Sequence, residues 1–361
     1  MRVAYVVSTL DRCGPVNVLY DIIKFLPPSV KAAVFTMAQE PPTSRLGDFE
    51  SLGITVVQAC PGRVSSMLAG KVLLGRALAK FNPDIVHLHG FRPYLACEGL
   101  DVPVVATVHN CIYEDYLTTY GEKRAAWMTR KEVAALKSFE VIVACSESNA
   151  DYLRNEYNLK PVVVRNGVDQ SRFLPLAATP RSELRAALGL RPEATVLVAT
   201  GGCSERKRTL PLVEAFSSAR RVCGADVELH VFGEGPQYEQ CKGLEVAGVV
   251  FHGFVDDVVP WLQTSDLFVS ASASEGMPLA VLEAISCGLP ALLSDIPPHK
   301  EICKALGDAA RCFKGASPDV MADDLESALG KLQTQRMSDA SVFSSAAMSA
   351  NYVKTYERLM Q

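Results

Sequence analysis

Two glutamates eight residues apart, Glu275 and Glu283, bracket the segment in which this sequence concentrates groups able to do chemistry. Between them runs Gly276-Met277-Pro278-Leu279-Ala280-Val281-Leu282, which follows a small-residue stretch and reads as a helix beginning near Met277 or Pro278, where proline suits the first turn. A helix start offers backbone N–H groups and the positive end of the macrodipole, so the N–H groups of Gly276, Met277 and Leu279 are expected to cradle a diphosphate. Pro278 has no N–H to give. Glu275, at the loop tip, is placed to accept hydrogen bonds from sugar hydroxyls. Glu283 lies ~12 Å further along the axis, a span that suits one ligand made of hexose, diphosphate and ribose. The spacing alone also fits a dipole-stabilised acid followed by a solvated one. The apolar flanks of Glu283, Leu282 and Ala284-Ile285, argue for a carboxylate with a task.

A second concentration of charge is Thr200-Gly201-Gly202-Cys203-Ser204-Glu205-Arg206-Lys207-Arg208, between a β-branched run and an apolar helical pattern over Leu210–Ala219. Cations at a strand-to-helix turn neutralise a diphosphate, and Lys207 is the first candidate. His87 and His89 alternate along one strand and so face the same side. With His109 they make three imidazoles, but acidic or cysteine ligands at suitable spacing are missing, and no metal is expected. An acidic-aromatic loop is expected from Glu114-Asp115-Tyr116 to Tyr120-Gly121. After it, residues 123–137 form a helix rich in Lys and Arg that carries Trp127, a face suited either to solvent or to an anionic lipid surface.

The elements that must hold these groups follow a repeated pattern. Val3–Ser8, Ala32–Thr36, Ile54–Gln58, Asp84–His89, Val104–His109, Val141–Ser146 and Pro161–Val164 read as strands, several of them continuous β-branched runs of the kind buried on both faces of a parallel sheet. A second series, Thr195–Thr200, Val227–Phe232, Val249–His252, Leu267–Ser270 and Pro290–Ser294, begins after prolines 175, 180 and 192 break the periodicity. Two strand–helix series in 361 residues imply an α/β protein of two Rossmann-like, doubly wound parallel-sheet domains. A closing helix with an apolar stripe ends the chain, over 343–361.

Bulk properties narrow the class. Hydrophobic residues make up 48% of the chain, enough for a sizeable core, and the net charge of −4 speaks against a nucleic-acid partner. No apolar run reaches the ~20 residues that cross a bilayer. Eleven cysteines, with no C-x-x-C pair, suit a reducing compartment. A cytoplasmic location is expected, at the inner face of the plasma membrane if the cationic helix meets lipid.

Glu275-Gly276-Met277-Pro278-Leu279, Glu283-Ala284 and Gly288-Leu289-Pro290 together resemble the E-x7-E signature of retaining GT-B-fold glycosyltransferases of family 4. Ser294 to Ile302 resembles the stretch that follows it in enzymes of bacterial surface-polysaccharide synthesis. Phe232-Gly233-Glu234-Gly235-Pro236, Gly253-Phe254 and Arg165-Asn166-Gly167-Val168-Asp169 with Phe173 match further family elements in the expected order. The resemblance implies that Glu275 contacts the donor sugar, that Glu283 contacts the ribose, and that Gly14 lets the backbone approach the donor phosphates in the first strand-to-helix turn. It also implies that His109, at the end of its strand, faces the same sugar as Glu275. Residues 1–168, completed by helix 343–361, are then the acceptor-side domain, and 169–342 the nucleotide-sugar domain, facing each other across a cleft. The family places an Arg directly after the first Gly of the basic turn; here that position is Gly202, and Arg206 or Arg208 is left to replace it.

The implied reaction is retaining, metal-independent hexosyl transfer from a nucleotide sugar, UDP- before GDP-, to a saccharide or polyprenyl-diphosphate-linked acceptor, with no cofactor. A non-catalytic nucleotide-sugar-binding subunit and a sugar-nucleotide epimerase on the same fold remain as alternatives. An oxidoreductase is disfavoured, because no G-x-G-x-x-G follows the first strand.

Overall fold

The computed structural model describes residues 1–176, 180–332 and 340–361. The chain divides into two compact units, Met1–Gly167 with Ser345–Gln361, and Val168–Ser344.

The first unit is built on seven parallel strands: β1 (Arg2–Val7), β2 (Lys31–Thr36), β3 (Thr55–Gln58), β4 (Ile85–His89), β5 (Val104–Val108), β6 (Val141–Ala144) and β7 (Val162–Val163). Their order is β3-β2-β1-β4-β5-β6-β7, with Val3 of β1 opposite Ala32 of β2 and Ile85 of β4. β1, β4 and β5 are buried nearly end to end, which is why they read as unbroken apolar runs. Alternate residues feed a core of Ala4, Val6, Val86, Leu88, Ala106 and Val108. The strand order reverses between β1 and β4, so the loops after β1, β4 and β5 open at a topological switch point, where open α/β sheets bind ligands.

The last helix, Ser345–Leu359, belongs to this unit. Tyr352 and Tyr356 are fully buried on its inner face. The Tyr356 hydroxyl lies 2.7 Å from Nδ1 of His87 and 3.3 Å from the Tyr5 hydroxyl, and the Tyr352 hydroxyl lies 3.1 Å from Oγ1 of Thr107. Ser345 and Ser349 donate to Asp21 and to the Ile22 carbonyl of the Gly14–Lys24 helix. These polar ties satisfy groups that the apolar stripe alone would leave buried and unpaired.

The second unit has six parallel strands: β8 (Thr195–Thr200), β9 (Val227–Phe232), β10 (Val249–Gly253), β11 (Leu267–Ser270), β12 (Ala291–Leu293) and β13 (Ala310–Cys312), in the order β10-β9-β8-β11-β12-β13. Leu197 of β8 is opposite Leu229 of β9 and Leu267 of β11, and all three enter one core with Leu212, Phe216 and Leu325. The reversal falls between β8 and β11. The loop after β8 carries Arg206 and Lys207, and the loop after β11 carries Glu275.

Candidate active site

The basic turn and the acidic loop of the second unit meet. Glu275 accepts from Nζ of Lys207 at 2.6 Å through one oxygen and from Nη1 of Arg206 at 3.0 Å through the other. Arg206 also donates to the Ser274 carbonyl at 3.0 Å, and the Ala273 N–H donates to the Arg206 carbonyl at 2.7 Å, so backbone and side chains join the two loops. The Glu275 side chain is 9% exposed. Burial alone would push its carboxyl up, but the Lys207 ammonium and the Arg206 guanidinium outweigh that and hold its pKa at about 2.

Gly202 stands in a backbone-to-backbone contact. A Cβ there would lie 2.7 Å from the Glu234 carbonyl oxygen, and Cys203 N–H already donates to that carbonyl. Gly233, at φ 107°, closes the contact from the other side, where a Cβ would fall 2.4 Å from the Gly201 oxygen. No side chain, arginine included, fits at 202 without moving the turn. Arg206 instead brings a guanidinium beside Lys207, while Arg208 takes the left-handed cap position of the Thr209–Cys223 helix.

The helix after Glu275 is Leu279–Ser286, with Pro278 at its N-cap. This corrects the expected start at Met277 or Pro278. Pro278 at ψ 111° is extended, so Gly276 and Met277 precede the helix, both buried, and Leu279 is its first residue. Glu283 is half-buried on a helix whose Val281, Leu282, Ala284 and Ile285 are buried.

His299 is a member of this neighbourhood without a role in the sequence reading. It is fully buried, its Nδ1 lies 2.9 Å from Oγ of Ser294, and its Nε2 has no partner. Burial pushes it down to about 4, against the pull of Glu275. Its only sequence signal is its place in Ser294 to Ile302.

In the first unit, Gly14 is the first residue of the Gly14–Lys24 helix, and a Cβ built on it meets nothing within 4 Å. His109 is the residue just past β5, whose end at Val108 falls one position short of the expected strand end at His109. Its Nε2 lies 2.8 Å from Nδ1 of His89, with the rings stacked at 5.1 Å. His87 is committed elsewhere, to Tyr356 and to Thr107, each at 2.7 Å.

His109 lines a cavity of about 880 Å³. Its polar wall includes Asn110, Asp115, Arg124 and Glu132; Met67, Leu68 and Trp127 belong to its apolar side. Met67, Leu68 and Trp127 are 79%, 84% and 49% exposed, so the apolar side opens outward. Glu132 accepts from the Tyr116 hydroxyl, and burial raises it to about 7. The expected loop over Glu114–Gly121 is instead the Ile112–Tyr120 helix. Glu114 and Asp115 sit in its first turn, where the dipole favours acids, and accept from Tyr152 and Asn110. The Glu122–Leu136 helix that follows buries Ala125, Thr129 and Glu132 and leaves Lys123, Arg124, Arg130 and Lys131 exposed.

Comparison with known proteins identifies the fold and the family. The family model described as glycosyl transferases group 1 matches residues 194–331, and that described as Glycosyltransferase Family 4 matches residues 13–172, so between them they span most of both units. The O-antigen biosynthesis glycosyltransferase WclY of Escherichia coli is 22% identical over 313 residues, 84% of this chain and 82% of that one. A UDP-Gal:alpha-D-GlcNAc-diphosphoundecaprenol alpha-1,3-galactosyltransferase of Escherichia coli is 29% identical over 242 residues, 62% of this chain and 61% of that one. Among solved structures, HepE of Anabaena in complex with UDP and glucose superposes with a TM-score of 0.79 at 18% identity, covering 99% of each chain. The fold is that of the GT-B glycosyltransferases.

Proposed function

The chain belongs to the family 4 glycosyltransferases, and from that premise we propose that it is a retaining hexosyltransferase that uses a nucleoside-diphosphate sugar, UDP-linked, to extend a lipid-linked saccharide in surface-polysaccharide synthesis. The observation that carries the reading is the ion-paired cluster of Lys207, Arg206 and Glu275 at the switch point of the second unit. In hexosyl transfer the bond from the anomeric carbon to the diphosphate breaks, and negative charge grows on the leaving oxygen. Fixed cations in a poorly hydrated place stabilise that charge without reorganising. We assign this work to Lys207 and Arg206, with the N–H groups of Gly276, Met277 and Leu279, so that no metal is needed. In the second unit Glu275 is assigned to a sugar hydroxyl and Glu283 to the ribose; in the first unit His109 is assigned to a sugar hydroxyl and Gly14 to the approach of phosphates. The acceptor oxygen bonds to the anomeric carbon on the face the diphosphate leaves, and its proton passes to the departing phosphate oxygen. No enzyme nucleophile is used.

The cavity of the first unit suits an amphiphilic acceptor: sugar against Asn110, Asp115 and Glu132, phosphate near Arg124, lipid along Met67, Leu68 and Trp127. We infer that the protein rests against the inner face of the membrane, a reading supported by the exposed cations of residues 123–137.

A thermal-shift screen against UDP-, GDP- and ADP-sugars is the first test, because a ligand that binds only the folded chain raises its melting temperature. UDP-sugars should give the largest rise. With the donor so identified, Glu275→Ala and Lys207→Ala should each lower turnover by roughly tenfold or more in protein that still melts cooperatively. Wild-type rates in both would remove the assignment, and binding without turnover by the intact chain would favour a non-catalytic subunit.

A further inference from the structure

His89 has no part in the reaction as described, yet it is the one side chain hydrogen-bonded to His109 among the described residues. It is 4% exposed, stacked on His109 on one side and 4.3 Å from the His87 ring on the other. Two ring nitrogens of the pair are buried without a partner: Nε2 of His89 and Nδ1 of His109. Burial lowers the pKa of both rings, His109 to about 4, so at neutral pH each carries one proton.

That count leaves two arrangements. One proton serves the bond between Nδ1 of His89 and Nε2 of His109. If His109 donates it, His89 must keep its own proton on Nε2, a buried N–H with no acceptor. If His89 donates it, His89 keeps a bare Nε2 and His109 carries its proton on Nδ1, which is then the N–H without a protein acceptor. A buried N–H without an acceptor is costly, and the second arrangement puts it on His109, the ring that lines the cavity and can find an acceptor in a bound ligand, and not on the enclosed His89. The wider network explains why the pair does not rearrange. His87 is held through both nitrogens by Tyr356 and Thr107, so it cannot turn to supply His89 with a partner.

We propose that His89 is a positioning residue for His109: it donates from Nδ1 to Nε2 of His109, fixes the ring, and sets the His109 proton on Nδ1 as a hydrogen-bond donor to the transferred sugar. The inference rests on the reading of His109 as a sugar contact. The hydrogen bond that one imidazole nitrogen makes decides what the other can do, and such supporting partners are worth on the order of ten- to a hundredfold in activity.

The test begins with the whole chain labelled with ¹⁵N-histidine at pH 7, the His109 signals being identified by their loss in His109→Gln. The expected spectrum has His109 protonated on Nδ1 and bare on Nε2. In His89→Ala that fixed state should be lost, whereas His89→Asn, whose amide N–H can donate from a similar place, should restore it. Turnover is then followed as UDP release from UDP-glucose, or from the nucleotide sugar that most raises the melting temperature. His89→Ala should lower kcat by roughly tenfold or more with little change in KM, and His89→Asn should recover most of it. A wild-type His109 protonated on Nε2 would overturn the proposal without needing any variant to fold. So would an unchanged His109 state and rate in His89→Ala beside an inactive His109→Gln. A fully active His109→Gln would instead remove the sugar-contact reading, leaving the spectrum to judge His89 by itself.

Discussion

A carboxylate held between a lysine and an arginine in a nearly dry place contributes to stability. Glu275 has a folded-state pKa of about 2, against ~4.3 for an unperturbed glutamate. Because the folded value is the lower one, the contribution is complete above the unfolded value and declines as pH falls toward the folded one. Its full size is roughly 3 kcal/mol. Glu275→Gln should therefore be clearly less stable than wild type in urea at pH 7, and the gap should close by about half at pH 3. A gap equal at both pH values would mean that the ion pairs contribute nothing. At this scale the sequence was informative about type but not about partnership. The pattern around Glu275 and Lys207 pointed to both as site residues, but that one glutamate is clamped by two neighbouring cations depends on the contact of two loops nearly seventy positions apart. The replacement of the arginine missing at 202 was undecided between Arg206 and Arg208 for the same reason. His299 was invisible as a contributor because a lone histidine on a helix carries no spacing signal, and the alternation of His87 and His89 raised only the question of a metal; burial and an unpartnered nitrogen single out His299 and His89.

The glycines of the strand-to-helix turns after β1 and β8, Gly14 and Gly202, look alike in sequence and differ in their surroundings. A methyl group on Gly202 would be driven against the Glu234 carbonyl at 2.7 Å, and overpacking of that kind costs about 1–3 kcal/mol. Gly14 opens its helix with empty space around the position of a Cβ. Gly14→Ala should leave the melting temperature within about a degree or raise it slightly, since alanine is the better helix residue, and yet weaken nucleotide-sugar binding if the backbone there approaches the phosphates. Gly202→Ala should lower the melting temperature by several degrees. Parallel calorimetric melts and donor titrations separate the cases; a Gly14→Ala protein with unchanged donor affinity would take Gly14 out of the site. Most strands of both sheets were legible as short apolar, β-branched runs, and those at the centre of the first sheet, β1, β4 and β5, are buried nearly end to end. Three elements were less so. β13 is three residues long, too short to show a period, and exists because β12 offers it an edge. The Ile112–Tyr120 helix buries only Ile112, so its acids and threonines looked like loop until Tyr152 and Asn110 gave Glu114 and Asp115 partners. The Leu279–Ser286 helix begins later than expected because Pro278 is extended.

Over the whole molecule, charge and apolar surface are distributed against the average. The chain carries a net charge of −4, which by itself would repel an anionic bilayer. The Glu122–Leu136 helix nonetheless exposes Lys123, Arg124, Arg130 and Lys131 around Trp127, and the Arg63–Phe81 helix of the same unit exposes Met67, Leu68 and Val72. Composition could not reveal this, since it averages the two units; the two-unit architecture itself was readable because the strand–helix alternation restarts after a proline-rich break. Each cation close to an anionic membrane is worth about 1 kcal/mol, and the attraction fades within a Debye length, about 10 Å at 0.1 M salt and about 3 Å at 1 M. The intact protein should therefore cosediment with vesicles of phosphatidylglycerol and phosphatidylethanolamine at low salt and be released at high salt. Lys123→Glu with Arg130→Glu reverses two of the four charges and should weaken binding by roughly tenfold or more, with donor-dependent stabilisation unchanged because neither residue lies at the second unit's ion-paired cluster. Trp127→Ala should weaken binding while leaving its salt dependence intact, since it removes apolar contact and no charge. Equal binding to neutral vesicles, or indifference to the charge reversal, would show that these cations are a solvated face and that the acceptor reaches the cavity without the protein meeting the membrane.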